Sequence, residues 1–126
     1  MFTRRDFLKK LLWTGLAGVG LYTATRFLPR PPRKVLVKEQ LKPGQILIKE
    51  SFFVKMTSKG PVALSRRCPH LGCLLTYASE EKSFVCPCHQ SRFDLSGRYL
   101  AGPAKRDLFK LPVKKTEGGI IVEVPS

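Results

Sequence analysis

The chain has 126 residues, with 23 Lys and Arg against 9 Asp and Glu and a formal charge of +14. That length leaves room for one domain, and a core so small often needs a staple such as a disulfide or a metal. From Arg33 onward 17 Lys and Arg face 8 Asp and Glu. They are scattered singly with no alternating aromatic stripe, which argues against a nucleic-acid partner and for a basic surface facing acidic protein or anionic lipid.

The N-terminus reads Met1-Phe2-Thr3-Arg4-Arg5-Asp6-Phe7-Leu8-Lys9-Lys10 and then turns apolar from Leu11 to Thr25. Paired arginines, a variable residue and then Phe-Leu-Lys resemble a twin-arginine export signal, an address for proteins exported already folded around a cofactor. The fifteen uncharged residues would make a helix of roughly 22 Å, short of a bilayer core of about 30 Å. Leu8, Phe27 and Leu28 could extend it while Lys10 and Arg26 snorkel. No small-x-small cleavage site stands out. Residues 1–28 are therefore expected to be an export signal retained as a transmembrane helix, with the body on the extracytoplasmic, periplasmic side of a bacterial cytoplasmic membrane. Pro29-Arg30-Pro31-Pro32-Arg33-Lys34 predicts a semi-rigid, extended hinge over residues 29–34.

Residues 35–126 read as one β domain. Gln45–Lys49, Phe52–Met56, Pro61–Ser65, Ser83–Val85, Asp107–Val113 and Gly119–Val124 are short alternating or β-branched runs between Gly, Pro and Ser turns. Asp94–Tyr99 reads as strand, turn and strand. This pattern predicts an all-β antiparallel sandwich or barrel, without helix after the first segment.

All four cysteines and both histidines fall between Cys68 and His89. They form two boxes, Cys68-Pro69-His70-Leu71-Gly72-Cys73 and Cys86-Pro87-Cys88-His89-Gln90-Ser91. Thiolates suit iron–sulfur centres, zinc or Cu(I), and imidazole adds a neutral borderline ligand. A C-x-H and a C-x-x-H pair each present one sulfur and one nitrogen from a tight loop. Two such loops can share a two-iron cluster, sulfurs on one iron and nitrogens on the other. A structural zinc site remains a chemical alternative, although neither box contains the usual C-x-x-C unit. Two plain disulfides beside incidental histidines are another.

The boxes are similar to those of Rieske proteins from cytochrome bc-type complexes, C-x-H-x-G-C and C-x-C-H-x-S, and the resemblance covers about Val62 to Leu111. It implies a Rieske-type antiparallel β-sandwich with a small cluster-binding subdomain, carrying one 2Fe-2S cluster. It implies that Cys68 and Cys86 bind the inner iron, that His70 and His89 bind the outer one, and that Cys73 and Cys88 form a disulfide. Leu71 matches the residue that shields the cluster, and Ser91 the serine whose hydroxyl donates to a bridging sulfide. Ala101-Gly102-Pro103-Ala104 resembles the proline loop on the third side.

Three positions depart from that pattern. Phe93 stands where tyrosine is usual. The missing hydroxyl is expected to lower the potential by tens of millivolts, up to about 100, because a bond to a charged group is worth about 1.5–3 kcal/mol and only its redox-dependent part counts. Gln90 replaces a glycine beside a ligand, and Lys105 replaces the last proline of the proline loop.

By this resemblance the chain is an electron-transfer subunit, not a complete enzyme. It would take electrons from a quinol, a low-potential one such as menaquinol, and hand them to a c-type cytochrome beside a cytochrome b partner. His89, with His70 beside it, is the expected quinol contact and proton acceptor. The chain also resembles the Rieske small subunit of arsenite oxidases, which shares the export route and the Phe after the serine. A soluble Rieske ferredoxin fits less well, since such proteins lack partners of the Cys73/Cys88 type.

Overall fold

The computed structural model describes residues 3–125, and the chain divides into two compact units between Pro31 and Pro32. The first unit is helix α1 (Arg4–Phe27), capped by Thr3. The Thr3 hydroxyl accepts from the Asp6 amide at 3.3 Å, and the Thr3 amide donates to Asp6 Oδ2 at 3.2 Å. These two bonds form a reciprocal capping box that satisfies donors of the first turn. At the other end the Leu28 amide closes on the Ala24 carbonyl at 3.2 Å, and Pro29 follows, where a helix cannot continue easily.

No α1 residue is buried. Among the described residues no helix is long and apolar enough to cross a membrane, which corrects the expectation of a transmembrane anchor. Arg4, Arg5, Lys9 and Lys10 all fall inside the helix, and glycines, threonines, Trp13 and Tyr22 dilute its apolar run. Met1 and Phe2, which open the expected export signal, lie outside the described residues.

The second unit is all β. Its strands are β1 (Arg33–Val37), β2 (Ile46–Ile48), β3 (Phe52–Thr57), β4 (Gly60–Ser65), β5 (Thr76–Ala78), β6 (Ser83–Val85), β7 (Arg92–Asp94), β8 (Tyr99–Ala101), β9 (Lys110–Leu111), β10 (Val113–Thr116) and β11 (Gly119–Val124). The expected hinge is shorter than residues 29–34, because Arg33 and Lys34 already pair with Val124 and Glu123. Three antiparallel sheets result, ordered β1-β11-β10, β2-β3-β4-β9 and β5-β6-β7-β8. The single strand expected over Asp107–Val113 is two strands. Proline has no amide for a ladder, so the chain leaves the second sheet at Leu111 and joins the first at Val113, crossing at Pro112.

The second sheet is a shared wall between two cores. Side chains alternate across a strand, so Phe52 and Val54 of β3 and Ala63 of β4 face Val37, Ile120 and Val122 of the first sheet. Phe53 and Leu64, one residue on, face the opposite way, toward Phe84 and Phe93 of the third sheet and Leu75 just before it. The Phe53 and Phe84 rings stack with centroids 4.2 Å apart. Both faces being covered explains why Phe52, Phe53 and Val54 are consecutive and all buried. The third sheet, held against this wall, carries both cysteine and histidine loops at one end, where Thr76, Val85 and Arg92 lie side by side.

Candidate metal centre

The two boxes fold into loops of one design. In the loop between β4 and β5 the Cys68 amide donates to the Cys73 carbonyl at 2.8 Å, and the Gly72 amide to the Cys68 carbonyl at 2.9 Å. In the loop between β6 and β7 the Cys86 amide donates to Ser91 at 2.8 Å, and the Gln90 amide to Cys86 at 2.9 Å. The fifth residue of each loop is left-handed, Gly72 at φ +78° and Gln90 at φ +58°. That shared geometry gives the physical reason for a glycine there, and Gln90 adopts it at a steric cost.

Cys73 and Cys88 are joined in a disulfide that ties the loops together, with Cα atoms 6.6 Å apart, as the resemblance implied. Cys68 and Cys86 remain free thiols and are buried. His70 is half-buried and His89 exposed, their ring centroids 5.0 Å apart and nearly perpendicular. Thiols therefore lie inside and imidazoles outside.

Three observations test whether these residues suit a two-iron group. His70 Nδ1 is buried and has no hydrogen-bond partner, a costly state for a polar atom unless something bonds to it. Burial pushes the Cys68 thiol up and the neighbouring Cys86 adds to this, while hydrogen bonds from the His70 amide and the Ser91 hydroxyl pull it down. Those two donors are thus aimed at a sulfur where negative charge would gather. Finally, a mononuclear zinc site needs its donors converging within one tetrahedron. Among the described residues the group whose donor atoms all lie within 4.8 Å of one another is Cys73, Cys86 and Cys88, two of which are consumed by the disulfide. Among the described residues no three of Cys68, His70, Cys86 and His89 meet that limit, so they do not form one ready tetrahedral site.

A third loop, residues 102–106 between β8 and β9, closes the side. Gly102 (φ +98°) sits so close to Ser91 that an added Cβ would lie 2.5 Å from its Cα. Ser91 is fully buried, and its hydroxyl accepts from the Ala104 amide at 3.2 Å. Leu71 projects from the first loop, 70% exposed. A groove of about 370 Å³ around the Gly118–Gly119 turn has no thiol or imidazole in its lining.

Two residues that sequence reasoning passed over hold this arrangement. Arg66 donates to the Leu75 carbonyl at 3.1 Å and to the Lys49 carbonyl at 2.8 Å, with its guanidinium over the Phe53 ring, so it pins the first loop to the central sheet. Tyr99 donates from its hydroxyl to the Gly102 carbonyl at 2.6 Å. Their partners are backbone carbonyls, which leave no signature in residue types.

Buried thiols beneath outward imidazoles, offered by facing loops on an antiparallel scaffold, define an iron–sulfur electron carrier. The model of the Rieske [2Fe-2S] domain matches residues 31–115. The chain is 27% identical to the cytochrome b6-f complex iron-sulfur subunit of Chlorobaculum tepidum, over 98% of this chain and 76% of that one. It is 30% identical to the corresponding subunit of Chlorobaculum thiosulfatiphilum, over 94% and 71%. A chain of a hyperthermophilic respiratory Complex III shares the fold, with a TM-score of 0.54 and 22% identity over 94% of this chain and 99% of that one. The chain belongs to the Rieske family, and its cofactor is a 2Fe-2S cluster.

Proposed function

We propose that Cys68 and Cys86 hold the inner iron and His70 and His89 the outer iron, and that the chain carries single electrons from a quinol to a c-type cytochrome. In this reading it is a subunit of a cytochrome bc- or b6-f-type complex, beside a cytochrome b. The observation that carries the assignment is the gradient across the site, from buried thiols to a half-buried and then an exposed imidazole. When bound, the cluster supplies a one-electron couple. With Nδ1 of His70 turned inward, its Nε2 is left for the outside. His89, the more exposed ring, would accept the quinol hydroxyl's hydrogen bond and its proton, with the bound cluster supplying the one-electron couple. Leu71 excludes water from this contact when the tip is docked.

The names of the Chlorobaculum relatives support the assembly. Arg4 and Arg5 are assigned to export, and the disulfide suits the oxidising, extracytoplasmic side of a bacterial membrane. Phe93, fully buried and without a hydroxyl, favours a low-potential donor such as menaquinol. It equally favours the arsenite-oxidase-like reading, where the donor is a molybdenum subunit. Purification of the tagged chain from native membranes decides between them. The expected result is a co-purifying haem b protein and menaquinol-dependent reduction of a c-type cytochrome. A molybdenum-containing subunit without haem b would replace this assignment with the second.

A further inference from the structure

Loop 102–106 is fastened at both flanks by one residue, Tyr99. At its start the Gly102 carbonyl accepts from the Tyr99 hydroxyl at 2.6 Å. Beyond its end Asp107 Oδ1 accepts from the Tyr99 amide at 2.8 Å. One residue of β8 therefore fastens both flanks of the loop, and its ring lies edge-on to Phe93, centroids 6.4 Å apart. Within the loop Lys105 is left-handed, φ +52°. Proline, locked near φ −65°, could not take that conformation, so the absent proline has not simply loosened an otherwise identical loop. The backbone follows a different path, and Tyr99 anchors it.

What the loop does next is visible at Ser91. The close approach of Gly102 to Ser91 and the amide of the buried Ala104 on the Ser91 hydroxyl oxygen fix that hydroxyl from behind. An oxygen that already accepts there keeps its own proton free to donate, and the likeness to Rieske proteins assigns that donation to the sulfur side of the site.

We propose that Tyr99 is a positioning residue that, by clamping Gly102 and Asp107, holds Ala104 on Ser91 and so keeps the Ser91 hydroxyl aimed at the sulfur side of the cluster, setting its reduction potential. This rests on the functional reading above. A donor at a sulfur stabilises the reduced, more negative state, so loosening the clamp lowers the potential.

The test uses the oxidised full chain with its cluster and compares wild type, Tyr99→Phe, Ser91→Ala and the double variant. Phe keeps the ring and removes only the hydroxyl. Deuterium uptake by the peptide spanning residues 101–106 is expected to quicken about fivefold in Tyr99→Phe, the consequence of losing one hydrogen bond of ordinary net strength. The midpoint potential, read by voltammetry, is expected to fall in Tyr99→Phe and to fall no further when the change is made on Ser91→Ala. Unchanged uptake and potential in Tyr99→Phe would overturn the clamp. An equal drop with and without Ser91 would overturn the route through that hydroxyl. Absence of a Rieske paramagnetic signal from the wild type would count against the functional reading instead, and the uptake measurement would still decide the clamp.

Discussion

Replacing Gly102 by alanine should be among the most damaging single-methyl changes in the domain. The added Cβ would stand 2.5 Å from Ser91 Cα, 2.9 Å from Ser91 N and 2.9 Å from Ser91 Oγ, at a residue with φ +98°. Two of those atoms are backbone, and the Ser91 carbonyl is already engaged by the Cys86 amide, so Ser91 cannot step aside without deforming the second cysteine loop. The loop at 102–106 must lift instead. Positive φ costs an alanine about 1–2 kcal/mol. Lifting also forfeits the Tyr99–Gly102 and Ala104–Ser91 bonds, each worth about 1 kcal/mol net. The expected loss is therefore about 3–4 kcal/mol, a large part of the 5–15 kcal/mol typical of a folded domain. Gly44→Ala is the control, since Gly44 has φ +83° but nothing within 4 Å of its added Cβ; it should cost only the backbone part. Urea unfolding of the oxidised protein, followed by cluster absorbance, gives both numbers. If the two variants are destabilised equally, the close approach of this loop to Ser91 is refuted.

Other consequences follow from the same geometry. Changing both Cys73 and Cys88 to serine opens a link across 15 residues and should cost on the order of 3 kcal/mol, read as a lower urea midpoint. Gln90→Gly should stabilise by about 1 kcal/mol because the residue already sits at φ +58°, whereas Lys105→Pro should destabilise; thermal unfolding with opposite signs for the two checks this. Asp94 is held below the usual carboxylate range: burial raises it, but bonds from the Ser96 hydroxyl and amide and the Arg98 amide, with the Arg98 charge, outweigh that. A depressed carboxylate stabilises above its unfolded value and loses this as pH falls through the folded one. Asp94→Asn should therefore destabilise at neutral pH and flatten the acid limb of the stability profile below about pH 4; an unaltered limb would refute it.

The parts legible in the sequence were those with a chemical or periodic signature. Cysteine and histidine have few alternatives at a metal, so the two boxes announced themselves, and the disulfide pairing followed from the family likeness. Strands β3, β4, β6 and β11 showed as β-rich runs between turns. The short strand Thr76-Tyr77-Ala78 did not, because three residues carry too little pattern to stand out. The division at Pro112 was missed because a run of alternating residues says nothing about which neighbour it pairs with. Gln90 and Lys105 read as departures from a family pattern, and only their left-handed backbones show what each departure entails. Arg66 and Tyr99 were illegible for a different reason, since a side chain that bonds to carbonyls can be answered by any residue type. The N-terminal segment was over-read: its uncharged run formed a helix, but charges within the helix and polar residues along it leave it short of a span.

The account depends on paired irons shared between the thiols of Cys68 and Cys86 and the imidazoles of His70 and His89. Its most direct test is metal and sulfide analysis of the purified full chain, joined to electron paramagnetic resonance after reduction, for wild type and His89→Cys. The account predicts two irons and two acid-labile sulfides per chain, with a Rieske signal that His89→Cys replaces or abolishes. Zinc in place of iron, or an unaltered Rieske signal in the variant, would contradict it.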